Sequence, residues 1–215
     1  MVRSLVLSVC AATLLAAGCS MQQHAEKVEC RNNLLQIRIA EDNFRSANAQ
    51  PCWKTPTVGK AGLSWRVELL PYVEHDNLYK MLVGQTNNFT LAVYAPDGTP
   101  TPEGAAARET LTARVMPFTL RNRNYPAGTT IFRRVTKADR PSAFVVVESI
   151  DVVPYGKGGE DLAVEAGAPL PKMGGHFSGG FLALCADGQI RWIPSSLSDQ
   201  EKIAALFDGK GGEVQ

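Results

Sequence analysis

The longest continuous pattern in the chain is helical and has two apolar sides. Between Glu26 and about Asn48, Cys30, Leu34, Ile37 and Phe44 recur at spacings of four, three and seven, which puts them on one face of an α-helix. Arg31, Arg38, Asp42 and Arg45 lie off that stripe, and Pro51 stops the helix. Val28, Leu35 and Ile39 form a second, shorter apolar row on roughly the opposite side. A helix with two apolar sides is covered twice, either by its own domain or by a partner chain. Val28, Leu35 and Ile39 are therefore the candidate interaction face.

The residues before this helix read as an address. Arg3 is the only Lys, Arg, Asp or Glu before Glu26, and a largely apolar run follows from Leu5 to Ala17. At thirteen residues it is shorter than the ~20 needed to cross a bilayer as a helix. A basic start, a short apolar stretch and small residues are the signature of a secretory signal peptide. Leu15-Ala16-Ala17-Gly18-Cys19 closely resembles the lipobox of bacterial lipoproteins. The resemblance implies cleavage between Gly18 and Cys19 and acylation of the Cys19 sulfur. Two or three acyl chains, at roughly 0.8 kcal/mol per buried methylene, anchor a chain stably where one does not. The expected organisation is a signal peptide over 1–18, a lipidated cysteine and polar tether over 19–27, and one domain over 28–215.

Composition narrows the partners. The chain has 22 Lys and Arg against 21 Asp and Glu. With Arg3 removed the balance is neutral, which gives no electrostatic reason to expect nucleic acid. A 45% apolar content excludes wholesale disorder. Cys30, Cys52 and Cys185 remain after the signal and the lipid site. A Cys30–Cys52 disulfide is ruled out if 30–48 is helical, since the helix spans about 27 Å and four extended residues recover about 14 Å. A bond to Cys185 stays open beside the simpler reading of buried thiols. No Cys/His spacing suits zinc, so no metal or cofactor is expected.

Further along, Ser64 caps a short helix with Trp65, Leu69 and Leu70 on its apolar side, and a second begins at Asp76. Pro96-Asp97-Gly98 is turn material, Ala105 to Ala113 is predicted helical, and Met116 to Leu120 reads as a strand. Thr129–Val135 and Ser142–Ser149 are predicted strands, followed by a Gly/Pro-rich crossing from Tyr155 to Met173. Phe181–Ala186 and Gln189–Ile193 flank Asp187-Gly188, a strong hairpin signal. A two-residue turn there sets Cys185 opposite Ile190 and Ala183 opposite Trp192. Ser198 and Glu201 form a capping box for a final helix, Asp199 to Phe207. The fold class is α+β: a long N-terminal helix packed on an antiparallel sheet, with a C-terminal hairpin and a short last helix.

Several blocks, in order, resemble one bacterial family, the domain-of-unknown-function family 1559, whose members resemble type II secretion pseudopilins. They are Cys30-Arg31-Asn32-Asn33-Leu34-Leu35-Gln36-Ile37, Ser64 to Glu74 with Leu78-Tyr79, Pro154-Tyr155 with Glu160-Asp161-Leu162, Leu170 to Gly175, Ala186 to Trp192, and Gly211 to Val214. The resemblance implies a pilin-like fold. It departs where the family carries a prepilin leader, since here a lipobox stands in its place.

Other candidate chemistry is thin. His176 sits among Gly174, Gly175, Gly179 and Gly180, a setting for an anion or for a tight chain crossing. His24 falls in the tether, and His75 lies between Glu74 and Asp76. Ser178 has no Gly-x-Ser-x-Gly frame, so no catalytic residue is assigned. The expectation is a non-enzymatic lipoprotein, membrane-attached through Cys19 and facing the periplasm or exterior, that binds an envelope protein or itself. Behind it stand a ligand-binding lipoprotein using residues 84–140 with the Gly-rich crossing, and then an enzyme.

Overall fold

The structure is a computed structural model and describes residues 2–54, 62–85, 93–95, 99–121 and 123–214, with side chains from Met21 onward. The turn expected at Pro96–Gly98, much of the 49–62 loop and the Cys19 side chain fall outside what is described. Helix α1 runs Val2–Asn48. Short helices Trp65–Glu68, Asp76–Gln85 and Ala105–Thr110 follow, with single 3₁₀ turns at Cys52–Lys54 and Leu70–Val73. Then come strands β1 (Thr129–Lys137), β2 (Val145–Pro154), β3 (Leu162–Val164), β4 (Gly180–Leu184) and β5 (Ile190–Pro194), the closing helix Asp199–Phe207, and β6 (Glu213–Val214).

The six strands form one sheet in the order β3-β1-β2-β4-β5-β6. Neighbours are antiparallel except β1 and β3, which pair in parallel from Val135↔Leu162 to Lys137↔Val164. The sheet is thus mixed, and the crossing after Tyr155 contains a strand of its own. Each face carries a core. Phe132, Val146, Leu182, Leu184 and Ile190 share one with Cys30, Leu34, Ile37 and Phe44 of α1. Val135, Val147, Phe181, Ala183 and Ile193 share the other with Ala205, Leu206 and Phe207 of the last helix. This is the α+β class that the sequence pattern defines.

Local chemistry explains several elements. Ser64 accepts from the Arg66 N–H as an N-cap and donates to the Tyr155 carbonyl, tying the short helix to the end of β2. Arg66 is buried, and its Nε and Nη2 donate to the Phe132 carbonyl at 3.1 and 2.5 Å. That carbonyl sits beside the irregularity in the β1–β2 register between Thr130 and Phe132. The guanidinium therefore satisfies an acceptor at the irregular step of the ladder. The Ser198–Glu201 capping box is complete.

Three expectations need correction. The hairpin loop has three residues, not two. Cys185 N–H donates to Gln189 O, Gly188 N–H to Cys185 O, and Gly188 has φ +78°. That is a turn closed by a left-handed glycine, and it shifts the register so that Ala183 opposes Arg191 and Leu184 opposes Ile190. Asp187 holds it, accepting from Gln189 N–H at 3.0 Å and from Arg191 at 2.7 Å. Met116–Leu120 is irregular rather than a strand, with Phe118 and Leu120 buried. The 19–27 segment is helical, Glu26 is buried, and the Lys27 ammonium lies 3.8 Å over the Trp192 ring. Packing therefore begins near Glu26, inside the stretch expected to be a polar tether.

The two sides of α1 differ in what they cover, which sets their mutational cost. Leu34→Ala should destabilise the domain by about 2–5 kcal/mol, and Ile39→Ala, on an exposed position, by under about 0.5 kcal/mol. Urea midpoints of the two variants check this.

Candidate functional site

A third strip of α1, between the core row and the exposed row, is polar and holds a distant loop. Glu26 pairs with Arg123 at 2.6 Å, Glu29 accepts from the Arg121 backbone N–H at 2.8 Å, and Asn33 donates to the Thr119 carbonyl at 2.8 Å. Spacings of three and four place these three side chains along one line. From the other side, Arg114 donates to the carbonyls of Leu120 and Arg121. An irregular backbone is thereby satisfied by side chains rather than by a ladder.

With that loop fixed, a groove of about 870 Å³ opens along α1. Its floor is Val28, Asn32, Gln36 and Ile39, and its walls include Tyr72–His75, Met116 and Arg121. Val28 and Ile39 keep 45% and 49% of their surface exposed, while Leu35 is half-buried against the core. The structure therefore brings Val28 and Ile39 to one groove, with Leu35 beside it on the same row. The walls are what sequence reading missed. The 119–123 wall is held by residues about ninety positions earlier in the chain, and its local signal is the Glu26, Glu29, Asn33 spacing.

Perturbed ionisable groups sit elsewhere, beneath α1. Glu148 on β2 is fully buried, and neither carboxylate oxygen has a hydrogen-bond partner. Burial pushes this carboxyl up to about 8, with the nearby His176 backbone N–H and Arg123 pulling the other way. His176 Nε2 lies 3.9 Å from Glu148 and 2.8 Å from the Ser149 carbonyl, and its Nδ1 lies 3.3 Å from the Tyr125 hydroxyl. Those partners fit a neutral ring that donates from Nε2 and accepts at Nδ1. Burial, the largest influence, lowers the ring's proton affinity. Cys30 is raised by burial and then by Glu148.

The His176 surroundings are a chain crossing. Gly174, at φ +74°, bonds through its N–H to Glu148 O and through its carbonyl to Ile150 N–H. A Cβ on Gly174 would stand 2.7 Å from Phe181 Cβ. Residues of the crossing also line a cleft of about 440 Å³ with Ser195, Asp199 and Lys202. The groove on α1 carries Met116 and Arg121 of the 84–140 segment, so the two stretches expected to share one ligand pocket line separate concavities. His75 lines the groove beside Glu74, and His24 is exposed. Cys30, Cys52 and Cys185 are buried thiols, joined by no disulfide. Among the described residues no group of three His, Cys, Asp or Glu is placed to hold a metal ion, and no helix is long and apolar enough to cross a membrane.

The fold and groove define an α+β domain built around its N-terminal helix, with a concavity along that helix. Residues 20–118 match the model of a family described as a protein of unknown function (DUF1559). That stretch, a little under half of the chain, is similar to this family and contains the Cys30–Ile37 and Ser64–Glu74 blocks. No curated protein and no solved structure matches it.

The Glu148 environment has a consequence for stability. Its proton affinity is raised on folding, so the native state holds a proton that the unfolded chain releases above about pH 4.5. Its contribution to stability should fall as pH rises from 4.5 to about 8 and then level off. His176, lowered on folding, acts only on the acid side, where its contribution falls below pH 6.5. Between pH 6.5 and 8 the native chain should lose on the order of 1–2 kcal/mol, and Glu148→Gln should remove that slope. Denaturant titration at several pH values measures both.

Proposed function

We propose that this chain is an envelope-anchored lipoprotein, held to a bacterial membrane by acylated Cys19, whose pilin-like domain has a structural or protein-binding role and no enzymatic one. The observation that carries this reading is the position of the uncovered apolar row. Val28 and Ile39 are exposed on the same continuous helix that follows the lipobox, so the face lies close to the point of attachment. An apolar row left open in this way is the usual mark of a surface that meets another macromolecule. The perturbed groups argue in the same direction. Glu148 and His176 are packed under α1 and line neither the groove nor the cleft, whereas catalytic groups must reach a substrate. A ligand-binding role is the second reading, favoured by the cleft with Asp199 and Lys202 at its edge.

The anchor is tested by the intact mass of membrane-extracted protein, native against Cys19→Ala. The expected mass is that of a chain starting at Cys19 plus two or three acyl groups, and it should disappear in the variant. An unmodified native mass overturns the anchored reading.

A further inference from the structure

We propose that Arg123 is shared between two buried carboxyl groups, Glu26 on α1 and Glu148 on β2, and that loss of the Glu148 proton draws it off Glu26 and slackens the Arg123 end of the loop that walls the groove. The device goes beyond the reading above, since it belongs to the wall itself and holds whatever meets the groove. It is built from contacts already present. Arg123 donates from Nε and Nη2 to one oxygen of Glu26, at 3.2 and 2.6 Å. The other Glu26 oxygen accepts from the Gln22 amide at 3.1 Å. Both carboxyl groups are buried, but neither oxygen of Glu148 has a hydrogen-bond partner.

The groups that face Glu148 come from three elements. They are Cys30 on α1, with Glu26 and Glu29 beyond it, Arg123 and Tyr125 from the loop, and His176 from the crossing. Phe132, opposite Glu148 on β1, brings no charge, and Arg66 on the Phe132 carbonyl has Asp161 as its main charge influence. While Glu148 is protonated, it offers no negative charge to compete with Glu26. Once it ionises, a carboxylate closed off from water is strongly unfavourable unless a cation or further donors reach it. Of the facing groups Arg123 is the permanent cation, whereas burial favours the neutral ring of His176.

The side chains permit that exchange. Arg123 keeps 37% of its side-chain surface exposed, so its long stem is not locked in place. Glu26 retains the Gln22 amide when the guanidinium leaves. The bonds from Glu29 to the Arg121 N–H and from Asn33 to the Thr119 carbonyl do not involve Arg123, which confines the movement to the later part of the loop. Arg121 lines the groove two residues before Arg123, so the pull reaches the wall. On the other side Tyr125 stays tied through its hydroxyl to His176 Nδ1 at 3.3 Å.

The test follows the Glu148 carboxyl by carbon NMR in the detergent-solubilised full chain, with Glu148→Gln assigning its signal. Glu26→Gln weakens the outer hold on the guanidinium while keeping an acceptor in place, and should move the Glu148 midpoint down by about one pH unit. The same change in an Arg123→Gln chain should leave the midpoint where Arg123→Gln alone sets it. Amide hydrogen exchange, corrected for its intrinsic pH dependence, reads the loop. Above the midpoint, exchange of the Arg123 amide and of the Tyr125 amide, which bonds to the Arg123 carbonyl, should rise about fivefold more than that of Phe132 and Val146. Glu148→Gln should abolish that difference. A midpoint unmoved or raised by Glu26→Gln, a shift that persists without Arg123, or loop amides that rise only as far as those of the strands each overturns the proposal. Neither readout involves a bound partner or an acyl group, so failure of the anchored reading leaves the test intact.

Discussion

The seating of α1 across β4 and β5 is the contact on which the rest of the structure depends. Leu34 and Ile37 are fully buried against Leu182, Leu184 and the neighbouring strands. Each such side chain contributes roughly 1.5–3 kcal/mol by leaving water. Once that row is fixed, the rotation of the helix is fixed with it. The adjacent strip then presents Glu26, Glu29 and Asn33 to the 119–123 loop, and the next leaves Val28 and Ile39 outward. Turning the helix by one residue, about 100°, would lose all three relationships together. The tolerance for change in α1 is therefore far smaller than its exposed surface suggests.

What could be read from the sequence was what is decided locally. The row Cys30, Leu34, Ile37, Phe44, the Ser64 cap and the Ser198–Glu201 box depend on residues within a turn or two of each other, and all occur. The hairpin was legible as a hairpin and not as a register. Asp-Gly serves loops of two or three residues alike, and the choice here involves the Asp187 carboxylate reaching Gln189 and Arg191. The groove was half legible. Its floor follows from helical spacing, but its wall is a loop whose apolar alternation looks like a strand until Arg114, Glu29 and Asn33 are seen to satisfy its backbone. The three-residue β3 had no periodicity long enough to declare itself.

Two buried charged side chains on the α1 side of the sheet show opposite solutions. Arg66 is spent on the Phe132 carbonyl, so its burial brings an acceptor as well as a cost. Glu148 has no such partner and meets burial by holding a proton instead. Neither was visible in the sequence, because the contacts involved link 66 to 132 and 148 to 176. The first of these is a structural staple. The second makes the helix–sheet junction respond to pH.

The unbroken path of α1 through Ser20 and Glu26 also has a mechanical meaning. A flexible link over residues 19–26 would let the sheet wander relative to the start of the chain. A helix covers the same seven steps as a rod of about 10 Å. On that rod the sheet keeps a constant distance from the first half of α1, so turning the helix about its axis swings the whole sheet with it, like a flag on a short mast.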